Sequence, residues 1–453
     1  MTAQERVPLS GWGRTAPTFA TVSRPGTAET IPERLRAAGP RGVIGRGLGR
    51  SYGDSAQNGG GDVAELTGLD GVSKFDQQSG RITVQAGLSL DALMRLVVPI
   101  GWFVPVSPGT RQVTVGGAVA ADIHGKNHHV DGGFGRHIEE IDLIAPAGRV
   151  TLRPDRDPDA FWATVGGMGL TGIIVEVTLR LSPIETSSMR VDTDRAPDLD
   201  SAMALMDEGD AAYRYSVAWI DCMARGAHMG RAVLTRGDHA TLDELSASAR
   251  RTPLRFSPRA LLKAPPRVPG GLVNRISMAA FNETWYRKAP MRRRGHLESI
   301  SYFFHPLDGV SDWNRMYGPR GFLQYQFAVP FGAEDVVRHA LEAFSGAGTP
   351  SFLAVLKRFG AGTPAPLSFP QPGWTLALDM PAGLPGLGPL LDRLDGRVAD
   401  AGGRVYLAKD SRMGPDMLAR MYPRLDQWRE VQHRLDPNGA MQSDLSRRLR
   451  LTR

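Results

Sequence analysis

Two glycine-rich segments carry the residues best suited to hold a charged ligand. Gly45-Arg-Gly-Leu-Gly-Arg-Ser-Tyr-Gly-Asp54 and Pro108-Gly-Thr-Arg-Gln-Val-Thr-Val-Gly-Gly-Ala-Val-Ala-Ala-Asp-Ile-His-Gly-Lys-Asn-His-His129 repeat glycine at short intervals. Glycine lets the backbone approach a ligand closely and take positive φ. Successive N–H groups in such turns form concavities that bind anions. Two of them about sixty residues apart suit a long cofactor with two phosphates. Neither is a standard nucleotide motif. Read as Gly-x-Gly-x-x-Gly, the first segment meets Arg50 or Tyr52 where the third glycine belongs, and Gly125-Lys126 is followed by Asn127, not by the Ser or Thr of a P-loop.

The elements around these loops alternate. Residues 40–48 read as a strand entering the first loop, and Arg81–Ala86 alternates polar and apolar in strand fashion. Ser89 is placed to cap a helix over Leu90–Val98. Ile141–Ile144 and Gly172–Leu179 read as further strands, giving an α+β cofactor domain over residues 1–186. Strands at Tyr213–Ile220, Leu297–Phe304, Leu323–Val329 and Trp374–Leu378, with helices at Asp335–Phe344 and Leu390–Ala401, suit a second domain over 187–403. Within it Pro253–Arg294 is rich in proline, apolar residues and cations, a composition suited to a mobile loop. The strand Arg404–Leu407 is expected to return the chain to the cofactor domain for residues 404–453.

At 453 residues the chain is long enough for two such cores. The net charge of +7 invites a nucleic-acid reading, yet no zinc-finger, helix-turn-helix or RNP-type pattern supports one. A phosphorylated substrate, or one borne on an anionic membrane, fits the charge equally well. The single Cys222 excludes an intramolecular disulfide, and no metal site is expected. No apolar signal segment opens the chain, and the apolar run Leu96–Val106 is too short to span a bilayer. Peripheral attachment to the plasma membrane, in the cytoplasm or cell envelope, is the expectation.

Further motifs accompany the two loops: Gly11-Trp-Gly-Arg-Thr-Ala-Pro17, Gln57-Asn-Gly-Gly-Gly61, Phe161-Trp-Ala-Thr-Val-Gly-Gly-Met-Gly-Leu-Thr-Gly-Ile-Ile174, Gly321-Phe-Leu-Gln-Tyr-Gln-Phe327, Leu367-Ser-Phe-Pro-Gln-Pro-Gly-Trp374 and Ala408-Lys-Asp-Ser-Arg412. The glycine loops resemble the paired FAD-diphosphate loops of vanillyl-alcohol-oxidase-type (PCMH-type) flavoproteins. The whole set resembles the decaprenylphosphoryl-β-D-ribose oxidase family, the flavin subunits of a decaprenylphosphoryl-ribose 2′-epimerase. The resemblance implies a two-domain α+β fold whose substrate domain is built on an antiparallel sheet.

It also implies an FAD site at Gly45, Arg46, Gly47, Leu48, Gly49, Arg50, Ser51, Tyr52, Gly53, Asp54 and Ser55, with Gly109, Thr114, Val115, Gly116, Gly117, Ala121, Asp122, Ile123, His124, Ile174 and Tyr406 completing it. Lys409, His124 and Tyr52 are the implied catalytic residues, with Lys409 as the first choice of proton acceptor. Lys126, Trp219, His305, Gln324, Gln326, Lys357 and Ala377 are the implied substrate contacts, and Trp374 is a second candidate wall of the pocket. Many relatives in the wider superfamily tether FAD through a histidine at the position of Arg50. Arginine cannot form that bond, so the cofactor is expected to be non-covalent. Two departures stand out. Ala377 replaces the cysteine that covalent nitroaromatic inhibitors attack in mycobacterial members, and Phe304 replaces a tyrosine before His-Pro-Leu-Asp.

The implied activity is oxidation of the 2′-hydroxyl of a polyprenyl-phosphoryl ribofuranose to a ketone. A separate NAD(P)H-dependent short-chain reductase would then complete epimerisation to the arabinose form used for cell-wall arabinan. The alternative is FAD-dependent oxidation of another sugar, an alditol or an aldonolactone.

Overall fold

The computed structural model describes residues 6–452. Strands β1 (Arg6–Leu9), β2 (Thr18–Ser23), β3 (Val43–Arg46) and β4 (Asp62–Glu65) form a sheet in the order β1-β2-β4-β3. β3 is buried over Val43 and Ile44 and runs directly into the first glycine loop. A second sheet has the order β5-β6-β10-β8-β9, from β5 (Val72–Asp76), β6 (Arg81–Gln85), β8 (Ile138–Ala145), β9 (Gly148–Leu152) and β10 (Ile173–Arg180). Two-residue strands β7 (Trp102–Phe103) and β11 (Ser182–Pro183) pair beside it. β6 alternates as expected, with Ile82 and Val84 inward. The helix Leu90–Val97 follows, Ser89 accepting from the Ala92 N–H and Leu90, Leu93, Met94 and Val97 facing the core at helical spacing.

The third sheet is eight-stranded and antiparallel throughout, in the order β16-β12-β14-β13-β19-β20-β18-β21. Its strands are β12 (Ser188–Ala196), β13 (Tyr215–Ile220), β14 (Ala232–His239), β16 (Arg292–Ser299), β18 (Phe322–Pro330), β19 (Ala354–Phe359), β20 (Gly373–Pro381) and β21 (Arg404–Val405). Helices Glu334–Ala347 and Leu387–Asp400 pack through apolar stripes that include Leu341, Phe344, Leu391 and Leu394. After β21 the chain packs back against the first two sheets. Trp428 is fully buried with its indole N–H on the Ala163 carbonyl (2.9 Å), and Met441 bridges to Val43.

Three sequence expectations differ from this structure. The strand expected at 297–304 ends at Ser299, whose hydroxyl accepts from the Tyr302 N–H and starts a short helix over Ile300–Phe304. The strand expected at 404–407 is only two residues long and pairs with β18, so it belongs to the eight-stranded sheet. Finally, Pro253–Arg294 contains regular structure. β15 (Leu262–Lys263) pairs with β17 (Val310–Ser311), and Arg275–Lys288 is a helix opened by a reciprocal Asn274–Ser277 capping box.

Candidate active site

The ends of the sheets face a continuous cavity of about 1310 Å³, larger than the usual range for small-molecule pockets. One arm is a trough between the two glycine loops, which meet where Gly47 faces Thr114. A Cβ at Gly47 would lie 2.2 Å from the Thr114 hydroxyl oxygen, so only glycine permits that approach. Gly45–Tyr52, Ser55, Gly109, Thr114, Gly116, Gly117, Ala121, Ile123, His124, Ile174 and Tyr406 all line the cavity. Among the described residues, no protein acceptor takes the N–H groups of Gly47 to Ser51, and the buried Ser55 hydroxyl is also without a partner. Open N–H groups around a narrow trough suit a diphosphate.

Four expected cofactor contacts stand behind this surface. The Val115 N–H donates to the Leu88 carbonyl (2.8 Å). Gly53 packs on the carbonyl of Asp410. Asp54 is ion-paired with Arg448 (2.7 Å), which also binds Asp410 (2.7 Å). Asp122 is buried at φ 38°, its carboxylate accepting from Gly135 N–H (2.9 Å), Thr363 (2.7 Å) and Ser368 (2.6 Å). These residues hold the loops in shape.

Arg50 is not free to approach a ligand as a nucleophile would. Its guanidinium donates to the Leu48 carbonyl (2.6 Å) and lies over the Trp12 ring, 4.1 Å from the centroid. The roof of the trough is the segment Pro306–Trp313. It is fastened by Asp308, which accepts from Thr110 (2.6 Å) and the Arg111 N–H (2.9 Å).

Where the trough meets the eight-stranded sheet, ionisable groups converge. Lys409 lies in a turn fixed on three sides. Its own N–H donates to the Tyr406 carbonyl, the Tyr406 N–H to Gln326, and the Tyr52 N–H to the Ala408 carbonyl (2.9, 3.0 and 2.9 Å). The Tyr406 hydroxyl donates to the Ala121 carbonyl (2.8 Å), tying that turn to the second loop. The Lys409 ammonium sits over the Tyr52 ring, 3.6 Å from its centroid. Burial lowers the Lys409 pKa from its usual 10.5, and the nearby Asp379 carboxylate opposes that fall. Burial in turn raises Asp379, so the two compete for one proton. Gln324 donates to one oxygen of Asp379, and the other oxygen has no partner.

His124 is the second focus. Its Nδ1 lies 3.0 Å from Lys357 Nζ and its Nε2 lies 3.0 Å from Gln326 Nε2. Burial first, then the Lys357 charge, holds the imidazole well below its usual value, so the ring is neutral. Gln326 also donates to the Thr375 hydroxyl (3.3 Å), which orients its amide nitrogen towards His124. Gln326 thus donates to Nε2, and Nδ1 faces Lys357, whose own pKa is lowered to about 7 by burial reinforced by Lys126 and Lys409. Lys126, lowered by burial to about 8, donates to the Phe303 carbonyl and lies over the Phe303 ring.

The sequence-derived substrate contacts mostly converge here. Lys126, Trp219, Gln324, Gln326, Lys357 and Ala377 line the cavity. His305 does not. It stands one layer back, hydrogen-bonded to the Ser107 hydroxyl (2.7 Å), and it is Ser107 that faces the cavity. Trp374 is also outside, its indole N–H on Glu334 (2.9 Å). Asp379 was not anticipated. The available signal is an acidic residue inside the otherwise apolar strand Leu376-Ala-Leu-Asp-Met380, two positions from Ala377 and so on the same face.

Residues 19–152 match the model of the FAD binding domain family. The chain is 46% identical over 449 residues to decaprenylphosphoryl-beta-D-ribose oxidase of Mycolicibacterium smegmatis, covering 98% of this chain and 97% of that protein. It is 43% identical over 373 residues to an uncharacterised Streptomyces coelicolor protein, covering 80% of this chain and all of that one. The mitochondrial L-galactono-1,4-lactone dehydrogenase of Arabidopsis thaliana is 27% identical over 119 residues, 26% of this chain and 19% of that protein. A match of 46% along nearly the whole of both chains, with an FAD-binding model on the glycine loops, leads to one conclusion: the chain belongs to the decaprenylphosphoryl-β-D-ribose oxidase family of FAD-dependent oxidoreductases.

Proposed function

We propose that this protein oxidises the 2′-hydroxyl of a polyprenyl-phosphoryl-β-D-ribofuranose to the 2′-ketone, using non-covalent FAD. The observation that carries this reading is the near full-length likeness to the ribose oxidase, joined to a cavity running from the glycine trough to a cluster of buried acid–base groups. FAD, when bound, supplies the acceptor for the hydride that leaves the carbinol carbon. Lys409 accepts the hydroxyl proton at Nζ, and the Tyr52 ring holds its ammonium form in place. Gln324 and Gln326 orient the sugar, and neutral His124, fixed between Gln326 and Lys357, offers a rigid wall to it. Lys126, close to its own titration, supplies positive charge for the phosphate.

On this reading residues 1–186 and 404–453 form a cofactor unit around a substrate unit of 187–403, with Arg404 and Val405 still paired to β18 at the handover. The ketone passes to an NAD(P)H-dependent short-chain reductase, and contact with the membrane is peripheral, through the apolar and cationic segment 253–294. Among the described residues no helix is long and apolar enough to cross a bilayer. The deciding experiment is stopped-flow flavin reduction. A prenyl-phosphoryl ribose should bleach the flavin, and a free alditol or aldonolactone should not. The reverse result would sink the proposal.

Two further outcomes follow from the site. Acid precipitation should release all flavin to the supernatant, because Arg50 cannot tether it and both ring nitrogens of His124 are engaged. Colour retained in the washed pellet would contradict this. The rate of flavin reduction should also rise with pH along a limb lying below the ordinary lysine range. Lys409 is a base only after losing its proton, so activity is lost as pH falls. In Asp379→Asn the carboxylate that raises the Lys409 pKa is gone, burial acts alone, and the limb should move to lower pH. An unmoved limb would remove Asp379 from the reaction.

A further inference from the structure

The cavity continues beyond Lys409 across the face of the eight-stranded sheet, and its floor changes character on the way. Near Lys357 on β19 it is polar, and at the far edge it ends at Arg293 on β16. Between them lie Val355, Trp219, Val217 and Val233, and then Thr235 and Thr193 before Arg293. Trp219 stands directly opposite both Val355 and Val233 in the ladder, so three strands place one apolar row side by side. From β19 to β16 is four strand spacings, about 19 Å at roughly 4.8 Å each.

The helix Arg275–Lys288 roofs this floor. Met278 packs it on the cluster that includes Trp313 and Phe322, and the rest of its attachment is largely polar. Asn282 donates to Asp221 (2.8 Å) and to the Ser351 carbonyl (3.1 Å), Glu283 pairs with Arg231 (2.6 Å), and the Tyr286 hydroxyl donates to the Ala196 carbonyl (3.2 Å). Phe281 and Trp285, one helical turn apart, face the cavity with rings stacked at 6.1 Å and 13°. They remain 42% and 40% exposed. Phe281 meets the Phe352 ring edge-on at 5.9 Å, but much of both aromatic rings stays open across the slot from an apolar floor. The hydrophobic effect favours an apolar ligand between them.

We infer that the slot between Phe281 and Trp285 above and Val217, Trp219, Val233 and Val355 below binds the first isoprene units of a prenyl chain. The floor's order, polar at the Lys409 end and then apolar over Val355, Trp219, Val217 and Val233, matches an oxygen-rich head followed by the first part of a hydrocarbon tail. This rests on the prenyl-linked substrate proposed above, and it assigns the tail its own place in the fold.

The test uses the holoenzyme and two probes, farnesyl phosphate, which has no sugar to oxidise, and prenyl-phosphoryl riboses of two and of ten isoprene units. Wild type should bind farnesyl phosphate, read by quenching of tryptophan fluorescence, and should show a lower KM for the longer substrate. Phe281→Ser with Trp285→Ser should weaken farnesyl phosphate binding and raise KM for the long substrate by about tenfold or more, as removal of two apolar contacts requires. Its kcat and FAD content should be unchanged. Trp285→Phe should keep most of the affinity. If short and long substrates show the same KM and farnesyl phosphate does not bind, the slot is not a tail site, although the ribose reading stands. If farnesyl phosphate binds and the serine variant loses it, while no prenyl-phosphoryl ribose reduces the flavin, the slot stands and the substrate reading falls.

Discussion

Replacing Lys409 by alanine should leave FAD bound and slow flavin reduction by substrate by a factor on the order of 10² to 10⁴, the usual contribution of a positioned base. The side chain is buried, sits on the Tyr52 ring and shares the field of Asp379. Its backbone is held by Tyr406, so loss of the side chain does not undo the turn. Stopped-flow absorbance under anaerobic conditions reads the step directly. Turnover near the wild-type rate would remove Lys409 from the mechanism, and loss of flavin would recast it as a structural residue.

The second large effect is expected at Gly53. A Cβ there would lie 1.9 Å from the Asp410 carbonyl oxygen and 2.8 Å from its carbon, both backbone atoms that cannot rotate away. Gly53→Ala must therefore push apart the first glycine loop and the turn that carries Lys409. Overpacking of this kind costs about 1–3 kcal/mol of stability. It should also lower flavin occupancy and activity together, since cofactor loop and base are displaced by the same methyl group. Thermal unfolding and the flavin-to-protein ratio check it. A variant with unchanged melting and full flavin would show that the loop yields more easily than the contact implies.

The glycine loops were legible because their function is written in backbone freedom, which glycine spacing reports directly. The strands of the eight-stranded sheet were legible for a similar reason, since apolar alternation survives in β13, β18 and β20. Misreadings arose where a local signal was weaker than its context. The run Ile300–Phe304 looks like strand continuation, but the Ser299 hydroxyl turns it into a helix. The helix Arg275–Lys288 has only Asn282 buried, so no apolar periodicity announced it among neighbouring prolines. His305 and Asp379 were harder to place for a different reason. The histidine carries the more suggestive chemistry, yet its ring lies against Ser107 one layer behind the cavity, whereas the aspartate comes near Lys409 through a strand register that only the folded sheet creates.

Arg448 has a further consequence. It joins Asp54, in the first glycine loop, to Asp410, beside Lys409, across a separation of 394 residues from the former. The helix Asp444–Leu449 is thus a strut between the first glycine loop and the turn that carries Lys409. A disturbance anywhere in that helix reaches the cofactor trough and the proton acceptor at once, although it touches neither.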